Sequence, residues 1–78
     1  MKYVVYILFS ERLDRYYCGQ TNNLEKRLAA HNKGGRKYTS KGIPWILIQV
    51  YDCNGRSEAV VLERKIKQRG IKRYLSEN

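Results

Sequence analysis

Tyr6, Tyr17, Arg27, His31 and Glu63 are the side chains of this sequence best suited to attack an ester, and their order along the chain lets them converge. Tyr6 ends Val4-Val5-Tyr6 and Tyr17 begins Tyr17-Cys18-Gly19, two strand-like stretches. Arg27 and His31 follow one helical turn apart in Asn23-Leu24-Glu25-Lys26-Arg27-Leu28-Ala29-Ala30-His31. Two phenols, a guanidinium, an imidazole and one carboxylate make a kit for phosphodiester cleavage. The attacking water needs a base, the crowded phosphorus needs positive charge on its oxygens, and the leaving oxygen needs a metal or a proton. A single carboxylate is enough to hold a Mg²⁺ that keeps most of its waters and also binds a substrate phosphate. Glu63 is the acid best placed for that task.

The elements that must position these groups can be read from pattern. Residues 2 to 9 are rich in Val, Ile, Tyr and Phe with no helical period, which predicts a strand covered on both faces. Ser10 to Arg15 supply turn residues, and Tyr16 to Gln20 return as the second arm of an antiparallel hairpin. Gly19 offers a place where a neighbour can approach the backbone closely. Thr21-Asn22-Asn23 carries oxygens to cap a helix whose stripe is Leu24, Leu28 and His31. Gly34-Gly35 breaks it, and Arg36 to Gly42 reads as a loop or short irregular helix. Trp45 to Tyr51 is nearly all apolar and predicts a third strand, central or covered. After the turn Asp52-Cys53-Asn54-Gly55, Ser57 serves as N-cap of a helix buried through Ala59, Leu62 and Ile66, which Glu63 borders. Gly70 ends that helix, and Ile71 to Leu75 add one short turn.

Size and charge narrow the class. Seventy-eight residues are expected to form one domain, 1–78, burying only about 60% of the surface of the unfolded chain. Sixteen Lys+Arg against seven Asp+Glu leave a net charge of +9, spread from Lys2 to Arg73, so a folded basic surface facing a polyanion is expected. Nucleic acid fits better than membrane. No run of eighteen apolar residues exists and Met1 to Phe9 is too short and aromatic for a signal peptide, so the expected location is the cytoplasm. Cys18 and Cys53 lack the spacing of a zinc knuckle or redox pair and read as reduced, buried strand residues.

Taken singly, each candidate has an ordinary explanation. Tyrosine is common in sheets, a histidine near a helix C-terminus complements the dipole, and Glu63 can pair with Lys67 one turn on. The joint pattern outweighs these readings. The series Tyr17-x-Gly19-x-Thr21-x-Asn23-Leu24-x-x-Arg27-Leu28-x-x-His31-Asn32, then Lys37-Tyr38-Thr39 and Ser57-Glu58-Ala59 to Glu63-x-x-Ile66-Lys67, resembles the GIY-YIG nuclease superfamily over nearly the whole chain. It is most similar to small stand-alone members related to the nuclease domain of bacterial excision repair. Val4-Val5 replaces the first glycine and isoleucine, and Cys18 replaces an isoleucine. Gln20 and Leu75 stand where the excision-repair relatives have a lysine and a polar residue, which implies weaker activity or a different substrate.

The resemblance implies an α+β fold, a small three-stranded antiparallel sheet flanked by helices, and a metal-dependent endonuclease using Mg²⁺ or Mn²⁺ held by Glu63. Tyr6 would position or deprotonate the attacking water, Tyr17 would orient water or phosphate, and Arg27 would neutralise the scissile phosphate. His31 would polarise the water, relay a proton or hold Tyr6, and which group takes the proton is left open. A free phenol with a pKa near ~10 is a poor base at neutral pH. Asn32, Lys37, Tyr38, Thr39 and Lys67 are expected to contact DNA, with RNA an open alternative. A repair role at damaged or branched sites, a protein partner supplying specificity, and the rival of a non-catalytic nucleic-acid-binding module complete the expectations.

Overall fold

Runs rich in β-branched and aromatic side chains form the sheet. A computed structural model describes residues 2–34 and 37–77, the side chains of Lys37 and Tyr38 excepted. It contains β1 (Tyr3–Ser10), β2 (Arg15–Thr21), α1 (Leu24–Asn32), α2 (Lys37–Ser40), β3 (Trp45–Cys53), α3 (Arg56–Arg69) and α4 (Ile71–Glu77). The strands make one antiparallel sheet in the order β2-β1-β3. The expected α+β class and three-stranded sheet are both present.

Alternation along β1 divides the core between the two faces of the sheet. Val5 and Ile7, with Cys18 and Cys53, pack against Ala59 and Ile66 of α3, and Tyr74 and Leu75 of α4 extend that layer. Tyr6 and Leu8 point the other way, joining Trp45 and meeting Leu24 and Leu28 of α1. Both cysteines are buried and free, as their composition indicated. Asn23 caps α1, its Oδ1 accepting from the Lys26 amide at 3.1 Å, while Thr21 Oγ1 accepts from the Asn23 amide at 3.1 Å. Gly70, at φ 93, lets the chain turn from α3 into α4, and Glu77 closes that turn by accepting twice from Arg69 at 2.6 Å.

Several expectations are corrected. The apolar β3 is not central: β1 holds the middle, and β3 is an edge on which Ile46, Leu47 and Ile48 are 45%, 37% and 45% exposed. The register slips between Ile7 and Leu8, whose partners are Gln49 and Leu47, so Ile48 is an extra residue that breaks the alternation. An apolar run reports strand propensity and does not say which neighbour covers it. Helix α3 starts at Arg56 with Gly55 as N-cap, so Ser57 lies in the first turn and does not cap. Gly35 lies outside the described residues, while Gly34, at φ 77, ends α1 as expected.

Asn32 and Thr39, both expected to contact nucleic acid, have structural partners in Trp45. The Asn32 amide clamps the main chain of Trp45, Oδ1 accepting from Trp45 N at 2.7 Å and Nδ2 donating to Trp45 O at 3.2 Å. Thr39 is buried, and its carbonyl accepts from Trp45 Nε1 at 2.7 Å. Asn32→Ala should therefore destabilise the fold by about 1–2 kcal/mol, seen as a fall in Tm of roughly 5–12 °C. An unchanged melting curve with weakened DNA binding would return Asn32 to the role of a docking contact.

Candidate active site

Tyr6 and Gly19 are direct cross-strand partners. A Cβ at position 19 would lie 2.5 Å from Tyr6 Oη and 2.7 Å from Cζ, so the missing side chain is the space through which the phenol reaches across β2. Tyr6 is 1% exposed, and its hydroxyl lies 3.1 Å from Nε2 of the equally buried His31. Tyr17 sits edge-on to the same imidazole with ring centroids 4.9 Å apart, and stacks at 6.4 Å from Tyr6. The stripe that buries α1 thus also delivers His31 to both phenols.

The helices carrying Arg27 and Glu63 pack on opposite faces of the sheet. They nevertheless share a site because β2 is an edge strand. A cleft of about 380 Å³ wraps around its free side, lined by Tyr6 and Tyr17, by Arg27 of α1, by Glu63 of α3, and by Gly19 and Gln20 between them. Four of the five expected catalytic residues therefore reach one cavity, and His31 supports it from behind through Tyr6. Tyr3, Asn22 and Arg56 also line the cleft and were not anticipated. Arg56 had a readable signal: it lies seven residues before Glu63, two turns along one helix face.

Electrostatics in the cleft centre on Glu63. Its side chain is 21% exposed, and Oε2 accepts from Lys67 Nζ at 2.6 Å. That hydrogen bond raises the Lys67 pKa above the ordinary lysine value, against the opposing effect of burial. Lys67, 53% exposed, thus stands beside the cleft as Glu63's counter-ion. Burial, with Glu63 nearby, pushes the Cys18 thiol up to about 12, so it stays protonated and is unsuited to act as a nucleophile.

Among the described residues no group of three His, Cys, Asp or Glu side chains gathers as a complete protein cage for a metal. The donors present nevertheless fit a hard divalent ion that keeps its waters. Glu63 is a cleft-lining carboxylate, and Gln20 Oε1 is a buried oxygen without a hydrogen-bond partner among the described residues. Lys37 and Tyr38, as side chains, lie outside the described residues.

Because Cβ contacts below 3 Å force movement, Gly19→Ala should displace the Tyr6 ring and its bond to His31. The expected cost is about 1–3 kcal/mol, the usual price of overpacking, measured by thermal melting. A variant as stable as the parent would show that Tyr6 does not depend on that space.

Comparison with known proteins identifies the family and the fold. The family model described as the GIY-YIG catalytic domain matches residues 2–74. A UPF0213 protein of Nitratidesulfovibrio vulgaris is 45% identical over 53 residues, 67% of this chain and 48% of the relative. The UPF0213 protein YsiG of Lactococcus lactis is 40% identical over 58 residues, 73% and 56% of the two chains. The chain spans about half the length of these curated relatives. The solution NMR structure of the UPF0213 protein BH0048 from Bacillus halodurans superposes with a TM-score of 0.60 at 27% identity, covering 97% of this chain and 81% of that one. With a family match running from the first strand into the last helix, this chain belongs to the GIY-YIG catalytic domain family.

Proposed function

We propose that this chain is a metal-dependent endonuclease that hydrolyses phosphodiester bonds in DNA, with a repair role at damaged or branched sites. The observation that carries the reading is the single cleft joining Tyr6, Tyr17, Arg27 and Glu63 around the free edge of β2. The charge of +9 supports a polyanionic substrate. In the reaction a water oxygen bonds to phosphorus, the bond from phosphorus to the leaving oxygen breaks, and the water's proton must be taken up while the leaving oxygen gains one.

The Tyr6–His31 pair suits the first proton. With Nε2 as acceptor, Tyr6 can pass its own proton to the imidazole as its oxygen takes one from water, so the phenol need not ionise beforehand. Tyr17, against the same imidazole, fixes the side of the cleft from which water approaches. Arg27 and the unanticipated Arg56 offer positive charge to phosphate oxygens. Glu63, with Gln20 beside it, would hold Mg²⁺ or Mn²⁺, which would supply Lewis-acid stabilisation of the phosphate and leaving oxygen.

One observation favours a second reading, a nucleic-acid-binding module without catalysis: Lys67 already neutralises Glu63 at 2.6 Å. Incubating the purified chain with single-stranded, duplex and branched DNA in Mg²⁺, Mn²⁺ or chelator, beside Glu63→Gln, separates the two. The enzyme loses nicking in chelator and in Glu63→Gln while DNA binding survives. Binding without nicking by the parent under every condition would establish the second reading.

Arg27→Ala should lower kcat by at least about a hundredfold while changing DNA affinity less than about tenfold; equal losses in both would make Arg27 a docking contact. Tyr6→Phe and His31→Ala should each slow turnover by about a hundredfold or more, and the double variant should be no slower than either alone. Additive losses in that cycle would contradict a shared proton path.

A further inference from the structure

We propose that a single-stranded flank of the nucleic acid leaves the cleft along the free edge of β2 and ends with a base stacked on the Phe9–Tyr16 ring pair. The inference rests on the nucleic-acid part of the function above and adds a path and a second anchor. Three hollows follow one another through shared lining residues. The cleft shares Gln20 and Glu63 with a neighbouring hollow that adds Arg64 and Lys67. That hollow shares Lys67 with a third, lined by Arg15 and Lys72 and by both rings. The seven residues of β2 run alongside for roughly 20 Å at the usual rise per strand residue, room for about six nucleotides at base-stacking spacing.

Chemistry along this path favours a nucleic acid over another polyanion. Positive charge recurs from end to end, with Arg27 and Arg56 at the cleft, Arg64 and Lys67 midway, and Arg15 and Lys72 at the far end. Glu63 and Asp14 are the acids among the described lining residues. At the far end Phe9 and Tyr16, cross-strand partners with centroids 4.8 Å apart and planes at 48°, are both half-buried and line the hollow, and Tyr16 packs against the core. Aromatic rings beside a basic groove are what unpaired bases bind, because every base has a face to stack and a duplex presents none along its length. An acidic peptide would use the cations and leave the rings idle.

The test is fluorescence anisotropy of labelled oligothymidylates of about 4, 8 and 12 nucleotides, with the full chain in chelator so that cleavage plays no part. Affinity should rise at least about tenfold from the shortest to the longest. Arg15→Gln combined with Lys72→Gln should remove most of that rise and lower the slope of log K against log salt by about 1.4, the value for two phosphate contacts on a single strand. Tyr16→Leu should weaken the longest oligomer with the slope unchanged. Because leucine at position 16 alters packing as well as stacking, a second readout uses the parent chain, in which 5-iodouracil at the far end of the strand should photo-crosslink to Tyr16 or Phe9. Affinity independent of length, crosslinks confined to the cleft, or displacement by polyglutamate as readily as by oligonucleotide would each overturn the path. Nicking with no length dependence would leave the endonuclease reading standing alone, and length dependence without nicking would do the opposite.

Discussion

A buried phenol laid across a glycine is the constraint on which the site depends. Tyr6 belongs to the central strand, where it fills the core, yet its hydroxyl must reach a cleft on the far side of β2. Only a residue without a Cβ at position 19 allows this, since even a methyl group would lie 2.5 Å from the Tyr6 hydroxyl oxygen and 2.7 Å from ring carbon Cζ. The ring is then fixed at both ends, by the core at its base and by His31 at its oxygen. Site geometry and packing are therefore one problem in this chain. The same side chains hold the sheet to α1 and aim a hydroxyl at the cavity.

A sheet of three strands has little surface to spare, and the fold uses an edge where larger proteins use the mouth of a pocket. Helices on opposite faces would ordinarily keep their side chains apart. Around the open side of β2, however, Arg27 from one layer and Glu63 from the other reach the same volume. The free edge that would be an aggregation hazard in a plain sheet is here flanked by charge, which discourages pairing with another strand. Lys67 holds the Glu63 carboxylate in that setting, raising the local positive potential and competing with any cation for the same oxygen.

Much of this was legible in the sequence, for identifiable reasons. Tyr6 and Tyr17 were readable because the strands around them are short and their order fixes the hairpin, and Arg27 with His31 because helical spacing is regular. Glu63 was readable as a border residue of the α3 stripe, whereas its pairing with Lys67, offered by the i, i+4 rule, was set aside for metal ligation and is nevertheless present. Other features depend on long-range partners that no local pattern encodes. β3 looked covered because apolar runs do, although its neighbour lies on one side only and an extra residue at Ile48 spoils the alternation. Asn32 and Thr39 looked available because polar loop residues usually are, whereas the position of Trp45 decides what they bond. Arg56 lies outside the motif positions, although its spacing from Glu63 places both on one face.

The proposed cation position at Glu63 is bordered by elements from both layers. Paramagnetic broadening by Mn²⁺ of assigned NMR signals reads this most directly, since it needs neither substrate nor turnover. The account requires the strongest loss of signal at Gly19, Gln20 and Glu63, with Tyr6 ring protons affected and the Ile46 to Ile48 edge spared. Broadening centred elsewhere, or none at millimolar metal, would contradict it.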